Sequence, residues 1–232
     1  MTTTTVNCAV IGRGRLGSAL AAALGTEPLG RDACPHDAGL VLLCVPDGEI
    51  ATAAAAIAPR DGLLVGHCSG ATTLAPLAPH EAFSLHPLMT VTADGADFNG
   101  VPAAIAGSTE RAATAAQALA RTLGMSPFAV ADEDRAAYHA GATVASNYLL
   151  TLLDLAERLA GTDRRALELL IRASVDNWLR TGAAAALTGP VARGDEDTVG
   201  RQRAAVAGRT PADLELFDAL TDRTRALAEV AA

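Results

Sequence analysis

From Val6 to about Val130, short apolar runs alternate with alanine-rich stretches of helical length: VNCAVIG precedes LGSALAAAL, GLVLLCVP precedes GEIATAAAAIA, and GLLVGHC precedes TTLAPLA. Strands buried on both faces and separated by helices predict a parallel sheet covered on each side. FSLHPL and AAIAG supply further strands, TERAATAAQALARTLG a helix ending at a glycine, and SPFAV a last strand. After Ala131 the pattern becomes helical, with breaks at Gly161-Thr162-Asp163, Thr188-Gly189-Pro190, Gly194 and Gly208-Arg209-Thr210-Pro211. Asp132 fits the N-cap of a long helix through YHAGATVASNYLLTLLDLAERLAG. That helix is apolar on more than one face, so it is expected to be buried under its own domain or against a second copy of the chain. The expectation is an α/β domain over residues 1–131, an all-α domain over 132–232, and a homodimer.

The first strand and helix enclose Gly12-Arg13-Gly14-Arg15-Leu16-Gly17, the pattern G-x-G-x-x-G in the strand-to-helix context that gives it meaning. Gly12 permits the tight turn, Gly14 lets a pyrophosphate approach the backbone, and Gly17 lets helix and strand pack closely. The amides at the helix start then face the anion. The bland alternative is a turn that merely suits a βα corner. About 20 residues on, an acidic side chain would bind the ribose of NAD and an arginine the extra phosphate of NADP. Counting arrives at Gly30-Arg31-Asp32. Arg31, at the end of a short second strand and with Arg13 in support, points to NADP; Asp32 keeps NAD open, and a solvated charge pair would read the same. Val45 and Pro46 end a strand at the carboxyl edge of the sheet, where they border a ribose unless Pro46 only stops the strand.

Half of the 232 residues are apolar, enough for a substantial core without disulfides or a structural metal. Cys8, Cys34, Cys44 and Cys68 stand singly, with no metal-ligand spacing, and read as small buried apolar groups. No apolar run reaches the ~20 residues that span a bilayer, and the start lacks a secretory pattern, so the expected location is the cytoplasm. A formal charge of -8 argues against a nucleic-acid partner. All 18 basic residues are arginine. No lysine is therefore available as nucleophile, general acid or phosphate anchor.

GRGRLGSAL, GHCSGA (66–71), SLHPLMTV (84–91), YHAGATVASNYLLTLL (138–153) and LTGPVARGDEDTV (187–199) together resemble the Rossmann-like oxidoreductase family whose C-terminal half is a domain of unknown function, numbered 2520. More distantly the chain is similar to pyrroline-5-carboxylate reductases, ketopantoate reductases and deazaflavin-dependent NADP oxidoreductases. The resemblance implies a nucleotide-binding domain followed by a helical domain, often paired as a dimer, with the active site in the cleft between them. One departure is Gln202, where the family pattern leads us to expect a histidine. In the related hydroxyacid and ketopantoate reductases, a lysine on the first long helix after the sheet supplies the proton, with an asparagine one turn later. Here the corresponding stretch keeps Asn147 and has no lysine.

The chemistry expected is hydride transfer from NADP(H) to the C=O or C=N carbon of a small anionic substrate. Without a lysine, the substrate is an imine that arrives protonated, or another side chain donates. His86, just beyond a strand end before Pro87, titrates in the useful range; it donates, or it ties a loop to the sheet. Tyr138 and Ser146, and His139 and Asn147, lie eight positions apart, so each pair can share a helical face, lining a substrate cleft or holding the helix in place. Arg193 could clamp a substrate carboxylate or phosphate, and Asp195 suits an N-cap. Two rival functions are hydride exchange with a deazaflavin, and nucleotide binding without turnover.

Overall fold

The computed structural model describes residues 7–31, 33 and 35–230. In chain order it contains β1 (Cys8–Ile11), α1 (Arg15–Ala23), β2 (Leu40–Leu43), α2 (Ile50–Ala55), β3 (Leu64–His67), β4 (Glu81–Pro87), β5 (Pro102–Gly107), α3 (Glu110–Thr122) and β6 (Ser126–Ala129). The six strands form one sheet in sequence order. Leu29 adds a single parallel bridge to Ile11, which pairs with Leu43 of β2 on its other side. The chain therefore leaves β1, touches one side of it at Leu29, and crosses to β2 on the other. This reversal of direction places a ligand-receiving crevice at the carboxyl ends of β1 and β2.

Apolar runs became strands because both faces are covered. Along β2, Leu42 packs with Leu20, Phe83 and Leu119 on one side of the sheet, while Val41 and Leu43 pack with Ile50, Val65 and Leu77 on the other. The expectation of an entirely parallel sheet fails at one place, since β4 and β5 pair antiparallel. A parallel return needs a crossover, usually a helix, and the connection 88–101 contains none. Helix α3 supplies that crossover next, and β5 and β6 are parallel again. Thr109 caps α3 by accepting from the Ala112 N–H at 3.1 Å, and Gly124 follows its end at φ +79°. TTLAPLA, of helical length, yields only a 3₁₀ turn at Ala75–Leu77, because Pro76 and Pro79 remove amide donors from so short a stretch.

Contacts divide the chain into two compact units between Val144 and Ala145, so α4 (Arg135–Thr143) falls in the first. A π-helical turn, Val144–Tyr148, follows α4. The second unit holds α5 (Leu149–Ala160), α6 (Arg164–Thr181), α7 (Ala183–Ala186), α8 (Glu196–Arg209) and α9 (Leu214–Glu229). Asp195 caps α8 by accepting from the Thr198 N–H at 3.1 Å, as its position suggested. Arg203–Asp218 and Arg225–Glu196 ion pairs tie α8 to α9. No helix is long and apolar enough to cross a membrane among the described residues.

Candidate functional site

Gly12 follows β1 with φ +122°, and a Cβ there would lie 2.2 Å from the carbonyl oxygen of Cys44. At Gly17, within the first turn of α1, a Cβ would fall 2.1 Å from the carbonyl oxygen of Gly12. Only glycine fits either place. Gly14 differs, because a Cβ there would meet no protein atom within 4 Å. It is also the N-cap of α1 and has no side chain to satisfy the first amides. Such a helix start has unfilled N–H groups and room beside them, which suits an anion.

Two adjoining hollows follow this turn. The larger, about 440 Å³, is lined by Gly12, Arg13, Gly14, Arg31, Val45 and Pro46 among others. The smaller, about 380 Å³, takes in Gly14, Arg15, Leu16, Val45, Pro46, Asp47 and Ser69. Every expected dinucleotide contact except Gly17 lines one or the other; Gly17 supports the turn from beneath. Arg31 Nη1 stands 2.6 Å from Glu49 Oε2, while Arg13 Nε donates to the Pro28 carbonyl at 3.3 Å. Asp32 and Cys34 lie outside the described residues. At the floor, Cys44 and Cys68 bring their sulfurs within 3.6 Å. Hydrogen bonding to Cys44 and burial push the Cys68 thiol up, and burial with Cys44 pushes Cys8 up to about 12, so both remain neutral thiols.

A polar cluster lies beside the smaller hollow. His86 and Pro87 lie inside β4 rather than beyond it, because antiparallel β5 extends the ladder to Ala104 and Ala103. His86 Nδ1 is 2.8 Å from the Tyr138 hydroxyl, and its ring centroid is 6.2 Å from that of His139. Phe128 supports Tyr138 edge-on at 6.0 Å. Gly70 makes the convergence possible: a Cβ there would sit 2.8 Å from His139 Cδ2 and 2.9 Å from His86 Cε1. Burial first, then the charges of His139 and Arg135, hold His86 down to about 4, and burial pushes Tyr138 up. At neutral pH the pair is an uncharged imidazole against an uncharged phenol.

Sequence reasoning missed Arg135, which is fully buried. Its Nε meets Asp132 Oδ1 at 3.0 Å, Nη1 donates to the Ser69 carbonyl at 3.2 Å, and Nη2 donates to Ser84 Oγ. Asp132 is not the expected helix cap; it sits in a 3₁₀ turn, accepting from the Leu74 N–H at 2.9 Å and from Arg135. The three-residue spacing of Asp132 and Arg135 was visible, but their burial against two loops was not. Asp47, at the strand end beside Pro46, joins this network through its side chain: its Oδ2 lies 2.8 Å from Ser69 Oγ, which also accepts the Ala71 and Thr72 amides. Ser69 thus organises a loop, and buried His67 helps it through Thr73 O and the Ser69 N–H.

Asn147 and Arg193 belong to the second unit and are exposed. Asn147 falls in the π turn, its carbonyl accepting the Thr151 hydroxyl at 3.2 Å. Uniform α-helical spacing, the basis for pairing His139 with Asn147 and Tyr138 with Ser146, does not hold through such a turn.

Residues 101–224, more than half of the chain, match the family model described as "Domain of unknown function (DUF2520)". The chain belongs to this family. Comparison with curated proteins returns no match. Among solved structures, a Bacteroides fragilis protein described as a "putative NADP oxidoreductase" is similar at TM-score 0.80 and 21% identity, over 94% of this chain and 97% of that one. A Thermotoga maritima protein is similar at TM-score 0.77 and 24% identity, over 97% and 99%. The reductive aminase of Aspergillus terreus, solved with NADPH and ethyl-5-oxohexanoate, follows at TM-score 0.67 and 17% identity, over 95% and 93%. These likenesses establish the fold: a Rossmann-like α/β sheet followed by a helical region.

Proposed function

We propose that the chain is an NADP(H)-dependent oxidoreductase that reduces a C=O or C=N bond of a small, anionic substrate. The glycine turn carries the reading, since Gly12 and Gly17 admit no side chain while Gly14 leaves an uncapped helix start beside two adjoining hollows. That cradle fits a pyrophosphate. The family description assigns no activity, but two similar structures, the Aspergillus reductive aminase and a Plasmodium falciparum pyrroline carboxylate reductase, are described with NADPH or NADP bound.

In this reading the α1 amides and Gly14 hold the pyrophosphate, Arg31 and Arg13 take the 2′-phosphate, and Val45 and Pro46 border the riboses. The bound dinucleotide supplies a hydride. His86 and His139 serve the reacting group from beside Ser69 and Gly70, with Tyr138 behind His86. Helix α6 supports pairing with a second copy: no residue of it is buried, and Leu169, Trp178 and Leu179 are 81%, 54% and 70% exposed.

Fluorescence titration with NADPH and NADH tests the cofactor assignment. Arg31→Ala should weaken NADPH about tenfold or more, the worth of charge-assisted hydrogen bonds to phosphate, and leave NADH within about twofold. Tighter binding of NADH by the unaltered protein would overturn the NADP assignment, and binding of neither would overturn the reading itself.

A further inference from the structure

Resting on that reading, we propose that Tyr138 and His86 act as one proton-delivery pair, and that the group they serve is a carbonyl rather than an iminium. A neutral imidazole has one N–H and one acceptor nitrogen. Tyr138 stands 2.8 Å from Nδ1 and burial keeps it a neutral phenol; in the proposed pair the phenol donates and Nδ1 accepts. In that pairing His86 carries its own proton on Nε2. That nitrogen has no hydrogen-bond partner among the described residues, nor is it among the buried unsatisfied atoms. It borders Gly70, where a Cβ would stand 3.0 Å away, and the preceding residue, Ser69, lines the smaller hollow.

The surroundings decide how such a histidine can donate. Burial, His139 and Arg135 all disfavour an imidazolium at His86. Acting alone, His86 would have to start charged or end as an imidazolate, and both are costly here. With Tyr138 it does neither. As hydride reaches the carbonyl carbon, the C=O π pair moves to oxygen, and that oxygen takes the Nε2 proton. Nδ1 takes the phenolic proton in the same event while the phenol oxygen takes one from water, so no phenolate accumulates; the hydroxide leaves to solvent, and proton exchange with solvent then returns the imidazole to its Nε2–H form. The carbonyl gains a hydride and a proton, the dinucleotide is oxidised, and the imidazole stays neutral throughout. An iminium arrives with its proton and leaves as an amine, so it has no use for the pair. In a chain without lysine, this pair does the work a lysine ammonium would otherwise do.

The tautomer can be read without cofactor or substrate. In 15N NMR of the histidine-labelled protein, His86 should show Nε2–H and a bare Nδ1, and Tyr138→Phe should turn this into a mixture of tautomers. Kinetics supply the second arm, using 2-keto acids against N-methyl cyclic iminium ions, which need no proton. Tyr138→Phe should lower kcat on the keto acid about 100-fold, within the range for a positioned general acid. It should leave kcat on the iminium and the Kd of NADPH within about twofold. An Nδ1–H tautomer in the unaltered protein overturns the pair. Equal losses on both substrates, or no loss on the keto acid, overturn the relay; iminium turnover without any carbonyl turnover overturns the substrate class. Failure of the underlying reading shows separately, as absence of NADPH binding with the tautomer intact.

Discussion

Two imidazoles close over Gly70 because that residue has no side chain, and their closeness shifts how His86 titrates. His86 is held down to about 4 from its ordinary 6.5, and buried His67 is lowered as well, chiefly by burial. Asp47 pulls both the other way without prevailing. Between pH 6.5 and about 4 the unfolded chain therefore binds protons that the folded chain refuses. Stability should be complete above 6.5 and fall steadily as pH drops through that window. Urea midpoints at pH 7.5, 6 and 5 check this, and His86→Asn should show a shallower slope; equal slopes would remove His86 from the effect. His86, Tyr138 and His139 were all legible as polar residues in apolar company. Gly70 was not, since a glycine beside a serine reads as an ordinary turn until the rings above it are seen.

At the scale of elements, the start of α4 docks onto the sheet unit through Arg135. Its guanidinium joins Asp132, the Ser69 carbonyl on the loop after β3, and Ser84 of β4. Arg135→Met would leave a carboxylate, a carbonyl and a hydroxyl without their donor. We expect a loss of about 3 kcal/mol, the low end for breaking a buried ion pair, because Asp132 stays partly exposed. It would appear as a lower urea midpoint with an unchanged m-value, and a loss below about 1 kcal/mol would mean the docking rests on apolar contacts instead. The β4–β5 reversal belongs to this scale too. Alternation of apolar runs located both strands, but their relative direction depended on whether the connection 88–101 folded into a helix.

For the whole molecule, α6 poses the physical problem. An 18-residue helix with none of its residues buried lacks the packing that stabilises helices in proteins. Burial of Leu169, Trp178 and Leu179 against a second copy would supply it. Sedimentation velocity should give twice the chain mass, and Leu179→Arg should shift the protein toward the single chain. A single-chain mass for the unaltered protein would sink the dimer.

The amino-acid order alone settled most of the strands and helices, though not TTLAPLA or the π turn after α4, together with the α/β-then-helical plan and the glycines of the turn, because local periodicity and backbone conformation are written into neighbouring residues. It also settled what chemistry was missing, since a chain without lysine cannot use one. The tertiary structure decided the rest. Residues 52 positions apart, His86 and Tyr138, meet across 2.8 Å; Arg135 reaches back 66 positions to Ser69. Long-range meetings of this kind depend on how strands order and pack, and no short stretch of sequence carries that information.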